Sequence, residues 1–308
     1  MQSISSRKIS CIVNPRAAQK KWVRRKNIRN LLHKTLCCDI VDTLEDKNQT
    51  VELARKLSFD HDILVTAGGD GTIADVIQGI MDARKDVTLG ILPLGSGNAF
   101  RKSLKIPKRT RKALRIISEG EKKEIDLIAI EGKAAGFASI GATAEVTLKA
   151  LKNKIPGLFG HVLEGRTLAT LPKRELEAEL FEGIDDQGNS FNHLQIQLES
   201  FDCVIGKTNY FGYSWRIAPE ARIDDGLLDI TFFETSGLKY LIFFPLIYFG
   251  IYQRFQRHYK ARRMILRGEK LPIQYNGEYL GERDEVRIEV LPRALKVISP
   301  RDKRSRKS

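Results

Sequence analysis

The chain is poor in sulfur and has no long apolar run. Its four cysteines, Cys11, Cys37, Cys38 and Cys203, show no C-x-x-C spacing across 308 residues. That excludes a disulfide framework or a thiolate metal site as the organising device, and it fits a reducing cytosol. No secretory leader is expected: residues 3–8 pass straight into an apolar strand pattern at 9–13, with no h-region. Residues 240–253, as long as any uncharged stretch in the chain, contain Pro245 and Gly250 and fall short of the about 20 residues a bilayer span needs. No internal repeat and no recognisable nucleic-acid reader motif is present. Neither a Walker A sequence nor a dinucleotide G-x-G-x-x-G occurs.

What the chain does have is positive charge. With 52 Lys and Arg against 38 Asp and Glu, the net charge is +14, and the pI is near 9.6. The cations gather at residues 16–34, 101–115, 254–267 and 301–307. Such a surface suits nucleic acid, acidic lipid or a polyphosphate, or is simply solvated. Without a reader motif, nucleic acid is not the expected partner. A hydrophobic content of 42% supports real cores, and the length allows two domains.

The two halves differ in texture. Short unbroken apolar runs at 9–13, 39–42, 63–66 and 87–92 alternate with helical patterns at 22–33, 50–57, 72–81, 98–104 and 109–118. Unbroken runs mark strands covered on both faces, so residues 1–125 are expected to form a parallel α/β domain that binds its ligand beyond the strand ends. Further on, strands read at 125–130, 134–140, 175–181, 194–199, 228–233, 263–266, 286–290 and 295–298, many separated by turn residues. Helices read at 144–152, 162–171 and 238–257. Residues 126–299 are therefore expected to form a mainly antiparallel sandwich, followed by a basic tail at 300–308.

One loop concentrates the chemistry. Between the apolar run ending at Val65 and a helical pattern stands Gly68-Gly-Asp-Gly-Thr72. A glycine turn from strand to helix exposes backbone N–H groups beside a helix dipole, an arrangement that holds phosphate. Asp70 would repel an anion unless a divalent cation lies between, or unless it takes a proton from an attacking hydroxyl. A plain turn with a helix cap explains one or two of the glycines. A second strand-to-helix loop, Leu92-Pro-Leu-Gly-Ser-Gly-Asn98, repeats the theme: Gly95 and Gly97 bare the backbone, Ser96 offers a hydroxyl and Asn98 can cap.

Together with Val13-Asn-Pro15, Thr43, Ala218-Pro-Glu-Ala221, Asp225-Gly226 and Asn276-Gly-Glu278, these loops resemble the diacylglycerol kinase catalytic-domain family, which includes bacterial lipid kinases, sphingosine kinases and ceramide kinases. The resemblance implies a phosphofructokinase- or NAD kinase-like α/β domain, a β-sandwich and ATP in the cleft between them. It assigns ATP contacts to Asn14, Thr43, Gly68, Gly69, Asp70, Gly71, Thr72, Ser96, Gly97 and Asn98. It places a structural Mg²⁺ on the Arg222-Ile-Asp-Asp-Gly-Leu227 loop, with a carboxylate from Asp225 and carbonyls from Arg222 and Leu227. Glu278 matches the general base of bacterial members, and Asp70 the aspartate given that role in sphingosine kinases. The chain departs from the pattern at Asn276, where the family has Asp, at Ala74-Asp75 and at Ala99.

The expected function is an ATP-dependent lipid kinase, cytoplasmic and attached peripherally to an anionic membrane surface. Residues 238–252 are rich in aromatics and are followed by five basic residues within 253–263, which suits the headgroup boundary. A core helix is the competing reading of residues 241–244. A soluble NAD kinase-like enzyme and a non-catalytic lipid- or nucleotide-binding relative stand as alternatives, and a homodimer stays open.

Overall fold

The computed structural model describes residues 7–17, 27–43, 46–95, 99–152, 165–211 and 214–301. They divide into two compact units: residues up to Ile125 together with Arg293 onward, and Asp126–Pro292.

The first unit runs β1 (Ile9–Val13), α1 (Asn27–Leu36), β2 (Asp39–Asp42), α2 (Lys47–Leu57), β3 (Ile63–Gly68), α3 (Asp70–Ala83), β4 (Thr88–Pro93), α4 (Ala99–Ser103) and α5 (Thr110–Glu119). Its strands pair in parallel in the order β2-β1-β3-β4. Every residue of β1, β3 and β4 is buried, which is why these strands read as apolar runs without alternation. α2 is capped by Asp46, whose carboxylate accepts the Asn48 N–H. α3 buries Ile73, Val76, Ile77 and Ile80 along one stripe, each burial stabilising by about 1.5–3 kcal/mol. Cys11 and Cys38, both buried, bring their sulfurs to 2.8 Å.

The order 2-1-3-4 has a consequence for ligands. From β1 the chain first adds a strand on one flank, then crosses to the other flank for β3. The carboxyl ends of β1 and β3 therefore border a topological switch point, where open α/β sheets leave a crevice.

The second unit contains the latter half of β5 (Glu121–Ile130), β6 (Lys133–Ala135), β7 (Phe137–Gly141), α6 (Ala142–Lys152), a 3₁₀ turn (Gly165–Thr170), β8 (Arg174–Ile184), β9 (Ser190–Ser200), β10 (Asp202–Gly206), β11 (Leu228–Phe233), α7 (Gly237–Ile242), α8 (Phe244–Tyr248), β12 (Arg257–Tyr275) and most of β13 (Glu278–Ser299). Its ladders β5–β6, β7–β10, β10–β11, β8–β9 and β12 with β7, β8, β11 and β13 are antiparallel. β12 pairs with β11 through residues 257–261 and with β7 through 273–275. Ile140, Leu180, Phe232, Met264 and Ile288 belong to the core so enclosed.

Four differences from the sequence reading have physical causes. Residues 293–299 join the first unit, because Lys296 and Val297 of β13 pair in parallel with Thr88 and Leu89 of β4. The helix expected over 238–257 is two short helices and a 3₁₀ turn at Tyr252–Phe255, with Pro245 opening α8 and Gly250 at φ +77° beyond it. The helix expected over 162–171 is a 3₁₀ turn where it is described. β10, flanked by other strands, has no turn signal before it and was not expected.

Candidate functional site

The predicted residues of the first unit that are described follow strand carboxyl ends: Asn14 and residues 68–72 border the switch point, and Thr43 stands one strand further out. Asn14 leaves β1: its N–H donates to Ala67 O of β3 at 2.9 Å and its Nδ2 to Thr72 Oγ1 at 2.9 Å. Thr43 leaves β2 and donates its N–H to Val13 O at 2.8 Å. Gly68 ends β3, Gly69 is the N-cap of α3, and Asp70 begins the helix. Ser96, Gly97 and Asn98 lie outside the described residues.

The two glycine loops touch. A Cβ on Gly95 would lie 2.4 Å from Gly69 Cα, and one on Gly68 would meet the Thr72 side chain at 2.6 Å. Around Gly71 nothing lies within 4 Å of an added Cβ. Part of the bare backbone is thus required for the loops to pass, and Gly71 is the position left open. Asp70 completes the junction, its Oδ1 accepting the Ala99 N–H at 2.7 Å where α4 begins. Arg101 lies within its electrostatic reach, although burial keeps that guanidinium below its ordinary pKa. The arrangement presents helix N-termini and an exposed turn to an anion.

Glu278 opens β13 in the second unit and is half-buried. Before it stands the two-residue turn Asn276-Gly277, with φ +48° and +86°, the geometry for which Asn-Gly is the favoured sequence. Asn276 is buried. Its Oδ1 accepts Gly136 N–H at 3.0 Å and its Nδ2 donates to Ala134 O at 3.3 Å. The amide in place of the family's aspartate is therefore a structural tie. Under the turn, Gln274 accepts Gly277 N–H at 3.0 Å and donates to Ser139 Oγ at 2.9 Å. The chain of bonds continues through Thr143 to the buried Asp202, whose carboxyl burial pushes up to about 7.

The loop expected to carry Mg²⁺ carries an ammonium. Lys207 Nζ, on a side chain 1% exposed, lies 2.6 Å from Asp225 Oδ1, 2.7 Å from Leu227 O and 3.0 Å from Asp126 Oδ2. Lys260 Nζ reaches Asp225 Oδ2 at 3.0 Å. Burial pushes the Asp225 carboxyl up, but the two ammoniums outweigh it and leave the group below its usual range. Arg222 sits on the exposed arm of the loop. Neither Lys207 nor Asp126 stood out in the sequence.

A surface feature accompanies these sites. Of the nine exposed large hydrophobics among the described residues, Leu238, Ile242, Phe243, Leu246, Phe249, Ile251 and Phe255 lie between residues 238 and 255. Tyr240 and Ile247 are the large apolar side chains of this segment that are fully buried, Tyr240 against Phe201 and Phe233. Leu241 and Phe244 are half-buried and Ile242 and Phe243 are exposed, so the core-helix reading of 241–244 fails. Lys239 and Arg254 are the exposed cations within it. Arg257 and Arg262 pair instead with Glu234 at 2.9 Å and Glu182 at 3.5 Å, and Arg263 covers the Phe181 ring. No helix among the described residues is long and apolar enough to cross a membrane.

Comparison with known proteins bears out the two-part fold. Residues 8–130 match the diacylglycerol kinase catalytic domain, and residues 184–299 the YegS C-terminal NAD kinase beta sandwich-like domain. A diacylglycerol kinase of Staphylococcus saprophyticus is 27% identical over 247 residues, spanning 76% of this chain and 75% of its own. One from Staphylococcus carnosus is 27% identical over 248 residues, with the same coverage. Among solved structures, a diacylglycerol kinase from Bacillus anthracis superimposes with a TM-score of 0.71 at 20% identity, covering 95% of this chain and 97% of the other.

Proposed function

The chain belongs to the diacylglycerol kinase catalytic-domain family, and from that premise we propose that it moves a phosphoryl group from ATP to the hydroxyl of a lipid held in a bilayer, diacylglycerol or a sphingoid-type relative. The phosphates rest on the loops after β1, β3 and β4, where backbone N–H groups and the N-terminus of α3 meet negative charge. Mg²⁺ arriving with the nucleotide would supply charge neutralisation to the transferred group. Glu278 takes the hydroxyl proton. Asp70, one oxygen of which holds the Ala99 N–H, keeps the two glycine loops in register and is the weaker candidate for that role.

The observation that carries a lipid rather than a soluble acceptor is the run of exposed side chains from Leu238 to Phe255. Aromatic and aliphatic groups beside Lys239 and Arg254 suit an interface of acyl chains and anionic headgroups, each cation contributing roughly 1 kcal/mol. A soluble kinase of the NAD kinase type has no use for such a surface. The deciding experiment gives purified protein radiolabelled ATP-Mg²⁺ and a panel of lipids in mixed micelles, with NAD as the soluble control. Label is expected in a lipid, and Glu278→Gln is expected to lower kcat by about 10²–10⁴-fold with ATP affinity nearly unchanged. Label in NAD alone overturns the reading, and full activity in Glu278→Gln removes that residue from proton transfer.

A further inference from the structure

We infer that the ammonium of Lys207 is the built-in cation of the Arg222-to-Leu227 loop, and that this chain holds no divalent ion there. The resemblance assigns Asp225 and Leu227 oxygens to a structural Mg²⁺, and those are the oxygens that Lys207 Nζ engages. A lysine ammonium has three N–H donors and no acceptor. Here it meets three acceptors: Asp225 Oδ1 at 2.6 Å, Leu227 O at 2.7 Å and Asp126 Oδ2 at 3.0 Å. All its donors are satisfied, as a side chain 1% exposed requires.

Distance and charge both speak against a metal ion in the same place. Mg²⁺ demands about six oxygens near 2.0–2.1 Å, whereas 2.6–3.0 Å is the range of a charge-assisted N–H···O bond. The carboxylates of Asp126, Asp225 and Asp229 face the ammoniums of Lys207 and Lys260, so the two built-in cations offset most of the negative charge. A divalent ion added beside them would reverse the sign of the cluster, in a region where charge is poorly screened.

The cluster also does the mechanical work expected of a structural metal. Asp126, in β5, accepts Gly226 N–H at 2.7 Å, and its own N–H donates to Ile223 O at 2.7 Å. The loop is held at both arms, and Gly226 takes φ +71° where it turns. Lys207 is itself fixed at the end of β10, since its N–H and that of Thr208 both donate to Gly136 O, at 2.8 and 2.9 Å. A fixed ammonium makes the loop independent of the free Mg²⁺ concentration, so the divalent requirement of this protein reduces to that of its nucleotide.

The test uses the full chain without nucleotide. Wild-type protein, purified without chelator, is expected to contain no stoichiometric divalent metal and to melt at the same temperature in EDTA and in millimolar Mg²⁺. Lys207→Ala leaves the buried Asp126 carboxylate without its cation and Asp225 with Lys260 alone, and is expected to melt roughly 10 °C lower, with Mg²⁺ restoring part of the loss. Lys207→Met fills the same space with an apolar chain and is expected to fall without Mg²⁺ rescue. A stoichiometric metal in the wild type, or a melting temperature that EDTA lowers, overturns the inference. So does a folded Lys207→Ala indifferent to Mg²⁺. Should neither variant fold, the metal content and chelator response of the wild type decide alone.

Discussion

In the first unit two loops meet at bare main chain, Gly95 against Gly69, whereas in the second a loop is held by an ammonium among carboxylates. The first device is steric. It leaves no room for an added atom at Gly95, and the contact itself carries no charge. The second is electrostatic, and its strength comes from burial: removing one partner of a buried ion pair typically costs about 3–5 kcal/mol, far more than an exposed pair is worth. A phosphate cradle has to leave its N–H groups uncovered for the ligand, so it is built from backbone. A loop that need only stay in place can use side chains instead.

The second unit holds a further buried charge outside the Lys207 cluster, and its response to pH is the largest effect expected. Asp202 is 1% exposed and accepts hydrogen bonds from Thr143 N–H and Oγ1 at 3.2 and 2.8 Å. Burial nevertheless raises its carboxyl to about 7, above the roughly 3.9 of an unfolded aspartate. A raised acid keeps its proton in the folded state after the unfolded chain has lost it. The folded state therefore holds more protons between the two values, and stability falls as pH rises through that window. Relative to Asp202→Asn, which cannot titrate, the wild type should lose roughly 4 kcal/mol between about pH 4 and pH 8. Denaturant melts of both proteins across that range check it, and parallel curves would remove Asp202 as a source of pH dependence.

The steric device comes next. Gly95→Ala drives a Cβ to 2.4 Å from Gly69 Cα, backbone that cannot swing aside, and overpacking of this kind costs about 1–3 kcal/mol. Both the melting temperature and the affinity for ATP should drop. Gly71→Ala adds its Cβ to open space, so the melting temperature should hold, and any fall in affinity measured by calorimetry reports the ligand's own need for that space. If Gly95→Ala melts and binds like the wild type, the loops do not depend on their contact. Unchanged ATP affinity in Gly71→Ala would leave Gly71 without a part in the cradle.

The same contrast explains what the sequence could and could not tell. The loops at residues 68–72 and 92–98 announce themselves because their parts are consecutive, and the unbroken apolar strands before them imply the parallel sheet. The cation site is built from Asp126, Lys207 and Asp225, on three separate segments, with Asp126 bonded to Gly226 across 100 positions. Such partners leave no local spacing to read. The contact of Cys11 with Cys38 was hidden in the same way. The segment at 238–255 was legible in composition and misread in form: Pro245 and Gly250 were visible, but which side chains the breaks turn outward depends on packing around Tyr240 and Ile247.

The smallest expected effect lies at the turn before Glu278, where a sequence-level inference and the geometry disagree. On the family pattern Asn276→Asp restores a carboxylate, which suggests a neutral or mildly activating change. In the structure the Asn276 amide uses both ends, accepting from Gly136 N–H at 3.0 Å and donating to Ala134 O at 3.3 Å. An aspartate keeps the first bond and loses the second, and its charge faces a carbonyl oxygen in a position only 7% exposed. The left-handed turn itself survives, because Asp-Gly also favours it. The cost is that of an unpaired buried acceptor with a like-signed neighbour, about 1–2 kcal/mol. Asn276→Asp should therefore lower the midpoint of chemical unfolding while leaving the m-value unchanged, with turnover no higher than that of the wild type. A variant as stable as the wild type and more active would mean that the carboxylate serves the reaction, and that Asn276 is a loss the fold has accommodated.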